Sequence, residues 1–214
     1  MDKDDWLADT RTSYDTVAVS YADRMRDALD REPYLRAALA LFADSVRATG
    51  GGPVADVGCG PGHVTAHLNA AGVDAFGIDL SPAMIDLARR EHPGLRFEVG
   101  SMTDLGLCDG SVSGLLAFWS LIHVPDTAVP AALGHFRRVL RPGGPLLLGF
   151  HVGDRTLLKT QGYGGHPMHL NVHHRRPGQV SDLLRAAGFT VEAQLLLDLD
   201  ANTPGAVLFA RRQP

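Results

Sequence analysis

Four glycines and two carboxylates carry the first chemical signal in this chain: Asp56-Val57-Gly58-Cys59-Gly60-Pro61-Gly62, then Gly77-Ile78-Asp79-Leu80-Ser81. Glycine is needed where a strand turns sharply and the main chain must approach a ligand closely. The spacing is G-x-G-x-G, not the G-x-G-x-x-G of nicotinamide and flavin binders. Asp56 precedes the first glycine by two residues, so it would repel a pyrophosphate and suit a ligand ammonium group. Asp79 closes the next apolar run, where a carboxylate can accept both hydroxyls of a ribose. Ser81 already serves as cap for the helix that follows, which leaves Asp79 for another role.

Histidine is the second signal, with ten in the chain. His123 and His151 fall where strands are expected to end on the same edge as the glycine loop, placed for proton transfer near neutral pH. The alternative for each is a loop histidine bonded to main chain. Four more, His166, His169, His173 and His174, crowd one segment. Metal ligation is one reading, but no paired cysteine, convincing carboxylate partner or His-Glu-x-x-His accompanies them, so no metal is expected. Strand alternation in 168–175 puts His169, Asn171, His173 and Arg175 on one face and Leu170, Val172 and His174 on the other.

These residues need a scaffold. From residue 53 onward short apolar runs alternate with helical stretches, the pattern of a parallel α/β sheet. Strands are expected at 54–57, 75–78, 96–99, 113–119 and 145–150, with helices at 64–71, 82–91 and 127–140. A helix at 177–187 and two strands at 190–197 and 206–210 follow, the strands paired antiparallel. The expected fold is α/β: a seven-stranded, mostly parallel Rossmann-like sheet with helices on both faces and the last strand antiparallel. Residues 1–50, helical over 12–48 with Pro33 near the start of a second helix, would form an amino-terminal lid or a packing layer on the domain at 51–214.

Bulk properties narrow the classes. A length of 214 residues suits one domain with a sizeable core. The net charge of −4 argues against a phosphate-holding nucleic-acid binder. The first five residues are polar and acidic, unlike a signal peptide, and no apolar run approaches a bilayer span. Two cysteines in unrelated contexts make a disulfide framework unexpected and a reducing cytoplasm the default.

The segments Asp56–Gly62, Gly77–Met84 and Gly100–Leu107 resemble successive motifs of class I, Rossmann-like S-adenosylmethionine-dependent methyltransferases. The likeness is greatest to the small-molecule branch with ubiquinone/menaquinone-type and natural-product enzymes. Tyr14–Tyr21 resembles that branch's lid helix. The resemblance implies S-adenosylmethionine as cofactor, with S-adenosylhomocysteine as product. It implies that Gly58, Cys59 and Gly60 meet the methionine part, with Asp56 reaching it directly or through water. Asp79 would hold the ribose, and Leu80 and Met84 would pack on the adenine. Ser101 stands where the family usually has an acid, so Ser101 and the Met102 main chain would read the adenine edge, with Asp104 the alternative. Phe118 and Trp119 would lie beneath the methionine, and Tyr14 and Tyr21 would close over it.

Methyl transfer from a sulfonium needs an acceptor held in line and, for a hydroxyl, thiol or ammonium acceptor, a base. His123 and His151 are the expected candidates. The 162–176 segment would be a polar flap over the acceptor, with His169, His173 and Arg175 as substrate residues and Arg175 receiving an acidic group. The expected acceptor is a small molecule, and the protein is expected to be a monomer or homodimer with no nucleic-acid or membrane partner. Three rivals stay open. A nicotinamide oxidoreductase lacks support, since the two lysines, Lys3 and Lys159, sit in no catalytic tyrosine–lysine context. A non-catalytic cofactor-binding accessory protein, favoured by an aromatic plug on the acceptor side, and an enzyme using the same cofactor for internal cyclisation are the others. Nucleic-acid methylation is disfavoured, because Trp119-Ser120-Leu121-Ile122 stands where Asn/Asp-Pro-Pro-Tyr/Phe would be needed.

Overall fold

The computed structural model describes residues 5–214. Most of the amino-terminal acidic stretch read above, and Lys3, lie outside the described residues. Three strands at the sheet centre are apolar nearly throughout: β1 (Val54–Val57), β4 (Gly114–Phe118) and β5 (Pro145–His151). A strand covered on both faces must present apolar side chains both ways, which explains the unbroken runs. With β2 (Ala75–Asp79) and β3 (Phe97–Val99) they form a parallel set.

After β5 comes a hairpin of β6 (Thr156–Gly162) and β7 (His166–His173), which forms its own two-stranded sheet. β8 (Phe189–Leu197) and β9 (Gly205–Arg212) complete the main sheet, in the order β3-β2-β1-β4-β5-β9-β8. β9 runs antiparallel to both neighbours. The seven-stranded, mostly parallel sheet with an antiparallel last strand is therefore as expected. The chain order reverses between β1 and β4, and a crevice is expected at such a switch point.

Side chains alternate across the sheet. Leu115, Leu146 and Leu148 face α6 (Val129–Val139) and α7 (Pro177–Ala186), meeting Leu133, Phe136 and Leu184. Leu116 and Leu147 face the other way, onto α3 (Pro33–Ala48) and α4 (His63–Ala70), against Leu39, Phe42 and Leu68. The helix α5 (Pro82–Glu91) opens with the Met84 N–H donating to the Ser81 hydroxyl at 3.1 Å and Pro82 in the first turn. Two helices precede α3: α1 (Asp5–Met25) and the short α2 (Ala28–Arg31). The two long helices divide the roles suggested for this segment. α3 is a packing layer in the core, whereas α1 lies over the carboxyl ends of β1, β2 and β4 against α5 and β7. No described helix is long and apolar enough to cross a membrane.

The strand expected in 168–175 is β7. Its partner β6 escaped the sequence reading, because Thr156–Gly162 does not alternate and its sides are mostly exposed.

Candidate active site

The glycine loop leaves β1 in left-handed conformations that favour glycine, with φ of 81° at Gly58 and 54° at Gly60. A Cβ on Gly58 would lie 2.1 Å from Cβ of Ser120, so the loop and the segment after β4 touch main chain to side chain. The Ser120 hydroxyl donates to the Val57 carbonyl at 2.6 Å, fixing that approach. At Gly60 the nearest atom to such a Cβ would belong to the Tyr21 ring, at 3.5 Å.

Asp79, ending β2, accepts the Gly60 N–H at 2.8 Å on one oxygen and the Ser81 N–H at 2.9 Å on the other. Burial raises its pKa and these amides oppose the shift. An ionised carboxylate has about four acceptor positions, so these amides leave capacity for a ligand. Asp56 is buried on β1 and accepts the Thr65 hydroxyl at 2.6 Å. Burial pushes its carboxyl up to about 7 against that hydrogen bond.

A cleft opens above these strand ends. Its floor and sides hold Gly58, Gly60, Asp79, Leu80 and Met84. Ser101 and Met102 lie at one end and Phe118, Trp119 and His123 along another wall, with Tyr14 and Tyr21 of α1 closing it. Trp119 takes φ of 54°, unusual for a bulky residue, and stands just past β4. Ser101 gives its hydroxyl to a 2.8 Å contact with Thr103, and Asp104 is exposed and off the cleft wall. Asp56, Cys59 and His151 border a second cavity, which shares Tyr21, Gly58, Phe118 and Trp119 with the first. The Cys59 side chain packs against the Gly77 main chain and Phe97, so its thiol belongs to the packing beneath the loop.

His123 sits in the turn 121–123 after β4, 8% exposed. With Nδ1–H donating to the Asn171 carbonyl at 3.0 Å, its Nε2 lone pair accepts the Tyr14 hydroxyl at 2.7 Å. Burial lowers its pKa to about 4 and keeps the ring neutral. His151, the last residue of β5, accepts the Trp119 indole N–H at 3.3 Å and stacks on His174. Burial lowers it to about 4 as well.

The substrate residues expected on the flap divide. His169 and His173 line a third, outer cavity that meets the cleft at Trp6, Leu7, Thr10 and His123. Arg175 is a correction. It is 2% exposed, its Nε donates to Asp126, and its terminal nitrogens donate to the Leu121 and Val124 carbonyls. β7 ends at His173, so the alternation stops there, and Arg175 turns inward to fasten the loop that carries His123. Among the described residues, no group of three or more histidine, cysteine or acidic side chains is placed to hold a metal.

The structure adds residues the sequence reading missed. Trp6, Leu7 and Thr10 extend the α1 wall by a turn and a half before the residues read as helical. Tyr163, at the tip of the β6–β7 hairpin, packs edge-on to Tyr21, which in turn packs edge-on to Tyr14. The glycines around Tyr163 were a turn signal that could have located that tip.

Residues 54–144 match the family model of the methyltransferase domain. A malonyl-acyl-carrier protein O-methyltransferase from Pectobacterium atrosepticum is 36% identical over 95 residues, covering 42% of this chain and 35% of that protein. The chain spans from 34% to 64% of the length of the curated relatives it matches. Among solved structures, magnesium protoporphyrin IX methyltransferase from Synechocystis with bound S-adenosylmethionine superposes with a TM-score of 0.72 at 19% identity, covering 98% of both chains. The 1,6-didemethyltoxoflavin-N1-methyltransferase from Burkholderia thailandensis, with its substrate and S-adenosylhomocysteine bound, gives 0.65 at 22%, over 92% of this chain and 88% of that one. The fold is that of these class I methyltransferases.

Proposed function

We propose that this chain, whose residues 54–144 match the family model of the methyltransferase domain, transfers the methyl group of S-adenosylmethionine to a small-molecule acceptor. One observation carries the reading: the anchored Asp79 carboxylate and the left-handed glycines at Gly58 and Gly60 face one cleft. Asp79 suits the two ribose hydroxyls, Leu80 and Met84 the adenine face, and Ser101 and the Met102 main chain the adenine edge. We assign Gly58 and Gly60 to the methionine end and Asp56, which borders the adjoining cavity, to its ammonium. When bound, the cofactor supplies a methyl group already activated on a sulfonium.

The chain's part is then to hold an acceptor in line and exclude water. Of the lid expected over residues 1–50 we assign the cover to α1 (Asp5–Met25) alone, and α3 to the domain at 51–214 that α1 closes. Neutral His123, with Nδ1 committed to Asn171, presents Nε2 as the proton acceptor, and Tyr14 is the group through which an acceptor proton would reach it. His151 stands across Trp119 as a second base or substrate contact. His169 and His173 are assigned to the acceptor's outer approach.

A small-molecule acceptor is supported by relatives named for 1,6-didemethyltoxoflavin and magnesium protoporphyrin IX. The three tyrosines crowd the acceptor side, as an accessory protein would have it. Yet two cavities adjoin the cleft, one sharing Tyr21 with it and the other His123, and this favours an enzyme. Calorimetric titration with S-adenosylhomocysteine should give saturable binding. No heat at millimolar product would remove the proposal.

A further inference from the structure

Among the described residues, Lys159 is a cation for which the fold supplies no acid, as it does for Arg175 and Arg176 but not for Arg155, whose guanidinium donates to the Asn202 carbonyl instead. Arg175 is answered by Asp126 and Arg176 by Asp154. Lys159 lies on β6 opposite Leu170 of β7, and residues paired across a ribbon share a face. Leu170 is buried against Val17 of α1, so Lys159 also looks inward, beneath the hairpin. Its ammonium lies 4.0 Å from the centre of the Tyr163 ring. Its charge bears on His123 and on His151, helping to keep both neutral. Among the described residues its ammonium has the Tyr163 ring and neither a carboxylate nor a hydrogen-bond acceptor. An aromatic face attracts an ammonium but leaves its three N–H donors unfilled, an arrangement that a partly buried cation does not favour.

We propose that Lys159 anchors the acceptor, its ammonium receiving a carboxylate of the molecule to be methylated. This rests on the methyltransferase reading above. It also moves the acid-receiving role of the flap from Arg175, which the fold uses internally, to a residue on the other strand. The cofactor's own carboxylate is the competing source of that anion, and one observation argues against it. The path of contacts from Lys159 to the glycine loop runs through Tyr163 and Tyr21, so two rings separate them. The charge of Lys159 is felt instead at His123 and His151, the two histidines proposed to serve the transfer.

The test uses the full chain saturated with S-adenosylhomocysteine, with benzoate as the anionic probe and benzamide as its neutral isostere, followed by ligand-observed NMR. Benzoate should bind the wild-type protein more tightly than benzamide. Lys159→Met should weaken benzoate by at least about tenfold, the scale of one lost charged hydrogen bond. Benzamide and S-adenosylhomocysteine affinities should be unchanged, and Lys159→Arg should retain benzoate. If Lys159→Met does not fold, Lys159→Gln makes the same comparison. Benzoate binding that is absent, or indifferent to Lys159, overturns this inference alone. A parallel loss of S-adenosylhomocysteine affinity in Lys159→Met also overturns it, by assigning the ammonium to the cofactor. A wild-type protein that takes up no S-adenosylhomocysteine removes the methyltransferase reading and this inference with it.

Discussion

At Asp79 one carboxylate is both structural and receptive. Its two oxygens hold the Gly60 and Ser81 amides, so the charge that would face a ribose also shapes the loop above it. In Asp79→Asn the side chain offers one carbonyl and one NH2, so one of those amides must face a donor. We expect S-adenosylhomocysteine affinity to fall by about tenfold or more, from the loss of a charged hydrogen bond worth about 1.5–3 kcal/mol. Calorimetry checks this, and unchanged affinity would separate Asp79 from the ribose. His123 makes a different prediction. Burial lowers its pKa from 6.5 to about 4, so the folded protein binds this proton less readily than the unfolded chain. Its contribution is fully present above pH 6.5 and is lost as pH falls toward 4, roughly 3 kcal/mol at about 1.4 kcal/mol per unit. His63 and His151 are lowered to about 4 by burial too and share the window. Asp56, raised by burial to about 7, takes up a proton over the same window and opposes this loss, so the prediction is comparative: between pH 7 and pH 5, urea unfolding should show less acid loss in His123→Gln than in the wild type. An equal loss in that variant would place the sensitivity elsewhere.

The helix α1 is fastened by three consecutive residues to three different elements. Ser13 accepts the His169 N–H of β7 at 2.8 Å, Tyr14 donates to His123, and Asp15 accepts the Ser81 hydroxyl at 2.5 Å and the Ala83 N–H at 3.1 Å. Asp15 thus sits at the positive end of α5, where a carboxylate is favoured. Removing it in Asp15→Ala should release the cover more than it harms the core. Trypsin should then cut after the exposed Arg11 several-fold faster, with the unfolding midpoint shifted by only about 1 kcal/mol. Equal cutting rates would show that α1 is held by its apolar face instead. The elements differ in how legible they were. β1, β4 and β5 were readable because double burial forces unbroken apolar runs, and α5 because Ser81 and Pro82 mark its start. β6 was not, since its residues are chosen by pairing with β7 and not by a buried face. Arg175 was misread for a related reason: alternation predicts facing only while the strand lasts, and nothing local marks its end at His173. Asp56, Asp79 and the glycines were legible because the loop's geometry permits few alternatives. Lys159 and Tyr163 meet the site only through the hairpin, a long-range arrangement that no local pattern encodes.

At the scale of the molecule, two levels of cohesion are built in. The main sheet carries apolar cores on both faces, and β9 pairs with β5 over its whole length. The cover of α1 and the β6–β7 hairpin rests on a much smaller apolar cluster, Val17, Met168 and Leu170, with the polar fastenings named above. Stability of this kind is graded, and the weaker unit opens without the stronger. Because α1 and β7 touch each other as well as the cleft, they should open together. Amide exchange in both should be faster than in β1, β4 and β5 and should match each other. A ligand at about one hundred times its dissociation constant adds about 2.7 kcal/mol to any state that must open to release it. Saturating S-adenosylhomocysteine should therefore slow exchange in α1 and in the hairpin by roughly a hundredfold. Hydrogen-exchange mass spectrometry resolves these segments separately. Protection that appeared in α1 but not in β6 and β7 would mean that the hairpin is not part of the cover, and the acceptor would then have to enter beneath it independently of the cofactor.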